Sequence, residues 1–478
     1  MPNQVKILFA NSYFYRLDPK QWAAQKPYPP YNTILAAAFM RQFGFEIDLF
    51  DSNLKKSSNE IEEKIKGSNP KYLVIYDDSF NYLSKMCLTN MREACFRMIE
   101  IGKQNDSLVI VNSSDATDNF EKYLDAGADF VMLGEAELTL KELILELESA
   151  NFDTQVKTAG VVYRTNKQTK KTPKRDILLN LETLPLPAWD LVEIREYQNI
   201  WQKKHGYFSL NIATTRGCPF KCNWCAKPIY GNRYNCRPPE SVAFEMAYLV
   251  ERFGVNHFWI CDDIFGLKPN WVKEFRHFIE QKDINPKLKI QSRADLLLKE
   301  DTIDDLVACG LGEVWIGAES GSQKILDAME KGIKVEQIEK ATLILKKKGV
   351  KVAFFLQYGY LDENLNDIKM TLQMIGKLKP DAIGISVSYP LPGTGFYDKV
   401  RGKLKNKLNW EDSDDLDTMY RTKFSNRFYK HLQRFTHLQF RRNKVVEELA
   451  NSPKINTLKI IYLLTLEKIY WIKLQFIK

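Results

Sequence analysis

The feature that most constrains this chain is a double run of short apolar segments alternating with helical patterns. Over residues 5–150 the segments are KILFAN, EIDLFD, YLVIYDD, SLVIVN and DFVMLG, with helical periodicity between them and again through Leu138 to Leu147. Strands alternating with helices predict an α/β domain, a Rossmann-like doubly wound parallel sheet whose ligands sit beyond the carboxyl ends of the strands. Those ends are polar: Asn11 and Ser12; Asp77, Asp78 and Ser79; Asn112, Ser113, Ser114 and Asp115, with Thr117 close by; Gly134 and Glu135.

The alternation resumes at Tyr207 with FSLNIATT, HFWICDD, KIQSRAD, EVWIGAES, KVAFFLQYG and AIGISVSY. Six such strands predict a partial (β/α)6 TIM-like barrel, again with its active site at the carboxyl ends. The expected organisation is a Rossmann-like domain over 1–150, a connector over 151–205, the barrel over 206–395 and a basic helical region over 396–478. The connector carries a strand-like GVVYR, a basic loop and LETLPLPAWD, where Pro185 and Pro187 block a helix.

A length of 478 residues exceeds one hydrophobic core and fits this multi-domain reading. With 44% hydrophobic and 27% charged residues the chain is not globally disordered. The opening MPNQVKILFANS lacks the apolar stretch of a signal peptide, so a cytoplasmic location is expected. The net charge of +9 is concentrated at one end: Arg421 to Lys478 holds thirteen Lys or Arg against three Glu. Such a region suits nucleic acid, anionic lipid or an acidic substrate, and solvated helix faces can be equally basic. The stretch after Pro453 is rich in Ile, Leu, Tyr and Trp, but Glu467 and four lysines break it before Lys478, so no membrane span is expected. Its lysines do not share one helical face, which favours docking on the protein body, with peripheral membrane contact the other option.

Eight cysteines are too few for a disulfide framework in a chain this long, and three fall within eight residues: Cys218-Pro-Phe-Lys-Cys222-Asn-Trp-Cys225. Cys87, Cys95, Cys236, Cys261 and Cys309 read as structural thiols. The triplet follows a strand through the turn Arg216-Gly217, so three thiols project from one loop. Cysteine thiolates hold iron-sulfur clusters, and three ligands for four irons leave one iron open. The competing reading is a zinc site short of one ligand, with His205 and His257 the nearest histidines.

CPFKCNWC resembles the signature of the radical S-adenosylmethionine (SAM) superfamily, and the resemblance extends over roughly 205–395. Asp262-Asp263, Arg293, Gly317 to Ser322 and Pro392-Gly393-Thr394 resemble features of the branch with an N-terminal cobalamin (B12)-binding domain. GADFVMLGEAELTLKEL and LPLPAWD resemble that domain itself. The resemblance implies a 4Fe-4S cluster on catalytic, metal-binding Cys218, Cys222 and Cys225. It implies SAM near Glu319, Ser320, Arg293 and Asp262, and cobalamin near Asn11, Ser12, Ser79, Ser113, Ser114, Asp115, Thr117, Gly134 and Glu135. Arg293 can instead pair with Asp295 or Glu319.

The implied activity is a radical SAM methyltransferase that uses a 5′-deoxyadenosyl radical to methylate an unactivated carbon of a small-molecule, lipid or natural-product intermediate. The implied partner is a flavodoxin- or ferredoxin-type electron donor. Cyclisation, oxygenation or rearrangement without methyl transfer uses the same domains. More distant readings are an RNA-modifying enzyme, for which no stacking motif speaks, and a non-catalytic cobalamin sensor. The chain departs from the branch in lacking Asp-x-His-x-x-Gly, and residues 1–204 contain no histidine. Cobalamin therefore takes no histidine ligand from this domain, or the domain is a degenerate Rossmann unit that binds nothing or binds substrate. Tyr420, Arg421, Tyr429 and His431 are candidates for a substrate wall or for helical packing.

Overall fold

The computed structural model describes residues 5–80, 88–149, 155–227, 229–407, 409–412, 415–451 and 457–476; Cys87 lies outside the described residues. Two sheets account for nearly all the strands. The first takes β1 (Lys6–Ala10), β2 (Glu46–Phe50), β3 (Tyr72–Tyr76), β4 (Leu108–Asn112), β5 (Phe130–Met132), β6 (Val161–Thr165) and β7 (Gln168–Lys171) in the order β2-β1-β3-β4-β5-β6-β7. Its first five strands are parallel. Their sequences are near-continuous apolar runs, as strands covered on both faces require. The chain reverses direction across β1 between β2 and β3, the switch point where doubly wound sheets open a ligand crevice.

The GVVYR segment joins this sheet. As β6 it pairs antiparallel with β5, Met132 opposite Val161, and β7 pairs antiparallel with β6. The two-strand extension gives the short β5, only three residues long, a partner on its outer side.

The second sheet contains β8 (Ser209–Ile212), β11 (His257–Ile260), β12 (Lys287–Ser292), β13 (Leu311–Glu319), β14 (Lys351–Tyr358) and β15 (Ala382–Val387), all parallel and in that order. It is the partial barrel expected from the alternation, open between β8 and β15. A two-residue ladder, β9 (Thr215–Arg216) with β10 (Asn235–Cys236), stands just beyond β8.

One continuous apolar cluster runs through both sheets, from Phe9 and Tyr76 through Ile34 and Ala37 to Leu210, Phe258, Ile290, Val314 and Phe354. The Tyr31–Arg41 helix is buried from Tyr31 to Met40, and it lies in this shared core. A helix apolar on every side is stable only where every side is covered. A second cluster links Leu8, Ile75 and Val111 behind the first sheet to Tyr358, Val387, Phe424, Phe428 and Leu432. The halves are thus packed as one body. The Asn426–Asn451 and Thr457–Phe476 helices fold back on each other as an antiparallel pair, His431 against Tyr470 and Val445 clustered with Leu463.

Candidate active site

The cysteine loop is the connection enclosed by the β9–β10 ladder at the mouth of the barrel. Its entrance is fixed by Asp262, a fully buried residue beyond β11. Its carboxylate accepts the Thr214 N–H at 2.7 Å, the Thr215 N–H at 3.0 Å and the Thr214 hydroxyl. Burial lifts the Asp262 carboxyl to about 6 in spite of these bonds. Gly217 then takes φ +79°, and a Cβ there would collide with the Arg233 carbonyl, so only glycine makes the turn into Cys218. Farther along, Asn223 ties the loop to the barrel by donating to the Ala328 carbonyl at 2.8 Å and accepting from the Tyr360 hydroxyl at 2.6 Å.

Cys218, Cys222 and Cys225 are each half-buried on this loop. Burial, and after it the charge of Asp263, pushes the Cys225 thiol up to about 12, and burial also raises Cys218. Thiolates at these positions therefore call for a strong local positive charge, which iron ions supply. Among the described residues no three Cys, His, Asp or Glu side chains converge closely enough to hold a single metal ion. A cluster takes each thiolate on a different iron, and three thiols on one loop fit that donor set.

Facing the loop is a buried ion pair that the sequence did not announce. Lys331 Nζ stands 2.8 Å from Glu319 Oε1, both side chains being under one-tenth exposed, and 5.8 Å from the Trp224 ring. Burial alone would lower the Lys331 pKa; Glu319 and then Cys222 outweigh it and raise it. Glu319 sits at φ +58°, next to a register shift between β13 and β14. A non-glycine residue in the left-handed region is strained, and such strain gathers at functional sites. Gly317 makes the pair possible: a Cβ there would lie 2.7 Å from Lys331 Nζ and 2.9 Å from Glu319 Oε1. The only sequence hint of Lys331 is a lysine set among apolar residues in DAMEKGI.

Arg293 makes a two-point contact with Asp295, at 2.9 and 3.2 Å, so the ion-pair option is the one adopted. Its guanidinium also lies 3.7 Å over the Phe220 ring and 4.0 Å from Cys222 Sγ. Ser320 is fully buried and its hydroxyl lies 3.1 Å from that of Thr371, so it shapes the strand end. Trp224 Nε1, on the loop, is buried with no partner.

The polar strand ends of the first sheet mostly bind one another. Ser12 donates its N–H and hydroxyl to Asp77 at 2.6 and 2.8 Å, and Asn11 donates to Asn53 at 2.8 Å. Ser113 caps the short helix after β4 through Ala116 N, and Thr117 accepts the Gly134 N–H. Asp115 is held by Arg92 at 2.5 Å and by the Tyr123 hydroxyl at 2.6 Å. Ser114 is the exception, its hydroxyl buried without a partner. A buried unpartnered hydroxyl suits the amide or nucleotide groups of a corrin.

The two faces meet at Arg216. This buried residue, two before Cys218, pairs with Glu137 at 2.7 Å and with Glu135, and lies 5.1 Å over the Tyr230 ring. Tyr230 in turn lies 2.6 Å from the Ser79 hydroxyl. Glu135 and Ser79 thus sit at the seam with the barrel. A parallel seam joins Arg237 to Tyr31 at 3.0 Å and to Glu245 at 2.5 Å. The Tyr420 hydroxyl donates to the Gly359 carbonyl, and the Tyr429 ring packs on Gly359, so both brace the loop after β14. Arg421 is exposed, and His431 is buried against the last helix.

Residues 212–375 match the Radical SAM superfamily. This chain carries a radical SAM domain. An uncharacterised methyltransferase of Pyrococcus horikoshii is 27% identical over 297 residues, covering 62% of this chain and 63% of that protein, so the chain spans less than two thirds of this relative's length. An anaerobic magnesium-protoporphyrin IX monomethyl ester cyclase of Rubrivivax gelatinosus is 22% identical, over 79% of this chain and 67% of its own. The fold extends beyond the radical SAM domain. The solved structure of the cobalamin-dependent SAM radical enzyme OxsB, with aqua-cobalamin and SAM bound, superposes with a TM-score of 0.72 at 16% identity, covering 98% of this chain and 72% of that one.

Proposed function

We propose that this chain is a cobalamin-dependent radical SAM methyltransferase acting on an unactivated carbon of a small-molecule, lipid or natural-product intermediate. The observation that carries this reading is the seam itself. Arg216 ties the thiol loop to the strand ends of the first sheet, so a cluster-side cofactor and a second cofactor would face each other across one fixed interface. When bound, the cluster and SAM supply a 5′-deoxyadenosyl radical, and cobalamin supplies a transferable methyl group.

Cys218, Cys222 and Cys225 would hold three irons, leaving the fourth for the amino and carboxylate groups of SAM. Arg293 brings a guanidinium to 4.0 Å from Cys222 Sγ and Lys331 lies 5.8 Å from the Trp224 ring, so a SAM carboxylate at this loop would find two cationic side chains close by. Glu319, held by Lys331, keeps a carboxylate oriented at the barrel mouth, where it can accept from ribose hydroxyls or an amino group. Ser114 and its neighbours beyond β4 would offer hydrogen bonds to the corrin, and residues 1–204 would offer it no histidine, since they contain none. Aromatic side chains pack the seam, Phe80 stacking on Tyr230 at 5.5 Å, and would help to keep water and stray thiols from the reaction. A flavodoxin- or ferredoxin-type protein would deliver the electron.

The similarity to the cyclase favours a second reading, cyclisation or rearrangement without methyl transfer. Anaerobic reconstitution with iron, sulfide and cobalamin separates these outcomes. Cluster and corrin absorption bands are expected together. With substrate, a gain of one methylene mass and release of S-adenosylhomocysteine support methylation; turnover without mass gain supports the second reading. Absence of corrin bands removes cobalamin from the proposal and leaves the radical SAM domain.

A further inference from the structure

The helix pair at the end of the described chain has one face that the fold does not use. On the Thr457–Phe476 helix, Leu463 and Leu474 pack inward, while Ile461, Tyr462, Leu464, Ile469, Trp471 and Ile472 are between 41% and 62% exposed. The sequence suggested docking of this segment on the body; only its inner side does so. Six large apolar residues exposed on one helix are far from the scattered single exposures of ordinary surfaces.

The surroundings indicate what covers this face. Arg427, Arg434 and Arg441 repeat every seven residues on the Asn426–Asn451 helix, and all are exposed. The row meets the last helix on its inner side, where Arg434 reaches at 3.4 Å the hydroxyl of Tyr470, a ring packed with Leu438, Val445 and Leu463, and Lys473 lies 5.1 Å over the same ring. Lys468 and Lys473 are exposed on the last helix itself. Two nearby acids are already neutralised, Glu447 by Lys379 at 2.8 Å and Glu467 by Arg442 at 3.3 Å, so the field facing outward is cationic.

We propose that this helix pair docks on the surface of a bilayer with anionic headgroups, its apolar face in the headgroup-acyl boundary and its arginine row among the headgroups. Among the described residues no helix is long and apolar enough to cross a membrane; the exposed apolar side chains would reach only the boundary layer, with Lys468, one turn from both Leu464 and Ile472, extending from among them to the headgroups. Trp471 and Tyr462 are the amphipathic rings favoured at that depth, and the lysine stems can lie along the apolar layer while their ammonium groups reach water. Apolar insertion together with a basic patch gives the two signals that stable peripheral binding needs. A symmetric pair of copies would bring two cationic rows into one interface, and a nucleic acid would leave the isoleucines uncovered; both fit the surface less well.

The inference stands apart from the reaction proposed above and is tested without turnover. The full chain is sedimented with vesicles of phosphatidylcholine alone and with vesicles containing one quarter phosphatidylglycerol. Binding to the anionic vesicles is expected to be at least about tenfold stronger and to weaken with salt. Trp471→Ser with Ile472→Ser should reduce binding to the anionic vesicles, while Arg427→Glu with Arg434→Glu should erase the preference for them. Ile472, Arg427 and Arg434 are exposed, while Trp471 is half-exposed and packs on Phe435 at 5.6 Å, so unchanged circular dichroism and an unchanged unfolding midpoint check the fold. Three results overturn the proposal: no binding to either vesicle, binding that neither variant pair alters, or a vesicle-free dimer that the Trp471 and Ile472 changes dissolve.

Discussion

In the first sheet, Asp77 beyond β3 holds the loop that leaves β1 through the Ser12 N–H and hydroxyl; in the barrel, Asp262 beyond β11 holds the loop that leaves β8 through the Thr214 N–H and hydroxyl. Both carboxyls are lifted to about 6 by burial. The two sheets therefore share one clamp, a carboxylate from the neighbouring parallel strand. They differ in what the clamped loop carries. Beyond Ser12 the polar groups close on one another. Beyond Thr214 come three thiols and an unpartnered indole N–H, and facing that loop are a strained glutamate at the end of β13 and a buried lysine. Polar strand ends alone do not mark a site; unmatched hydrogen-bonding groups, charge and strain do.

The largest expected effect tests that distinction directly. Cys222→Ala should abolish both the brown cluster absorbance and 5′-deoxyadenosine formation, because the thiolate set falls from three to two. Cys95→Ala, at a buried thiol among apolar neighbours, should preserve both. Equal loss in the two variants would mean that the thiols of the loop are not special.

Arg216 welds the two faces together, and its loss comes next in size. Arg216→Met leaves Glu135 and Glu137 buried without their cation, with an expected cost of about 3–5 kcal/mol in denaturant unfolding. Replacing both glutamates by glutamine in the same background should return part of it. An unchanged unfolding midpoint for Arg216→Met would break the picture of one fused body.

The alternation of apolar runs and helical periods announced both sheets, since period and run length are local properties of the chain. Cys218, Cys222 and Cys225 were equally visible, three thiols in eight residues. The pairing of Arg216 with Glu135 and Glu137 spans about eighty residues and has no local signature. Lys331 was hidden for the same reason: its partner Glu319 lies across a helix, and only the fold reveals that Gly317 leaves room for the pair. Ser12, Asn11 and Asp115 looked like free hydrogen-bonding groups in the sequence because nothing in it says that Asp77, Asn53 and Arg92 would meet them. β6 was legible as a strand, but its choice of β5 as partner was not.

The clamps make a smaller, pH-dependent contribution. A carboxyl whose pKa is raised on folding stabilises the folded state while it stays protonated. That stability is complete below the unfolded value of 3.8 and is lost as pH climbs toward about 6. Each clamp should therefore cost up to ~3 kcal/mol between pH 4 and 6. Asp77→Asn should flatten that fall in a thermal or denaturant series without touching cluster absorbance. Asp262→Asn should flatten it too, and should also disturb the cluster, because its loop carries the thiols.

Ser114→Ala is the smallest change and the sharpest probe of the first sheet. Its hydroxyl has no partner, so the protein without cofactor loses no bond, and its stability should stay the same or rise slightly. If cobalamin takes that hydroxyl as a donor or acceptor, the variant forfeits one hydrogen bond, ~1 kcal/mol or about a fivefold weaker affinity in a corrin-band titration. Ser113→Ala makes the contrast, because Ser113 caps a helix through Ala116 and should lose stability whether or not cobalamin is present. Weaker corrin binding at Ser114 with unchanged stability gives the first sheet a site of its own. The same affinity in both proteins makes the Ser114 hydroxyl scaffold and moves the search for a corrin contact to the seam around Ser79 and Glu135.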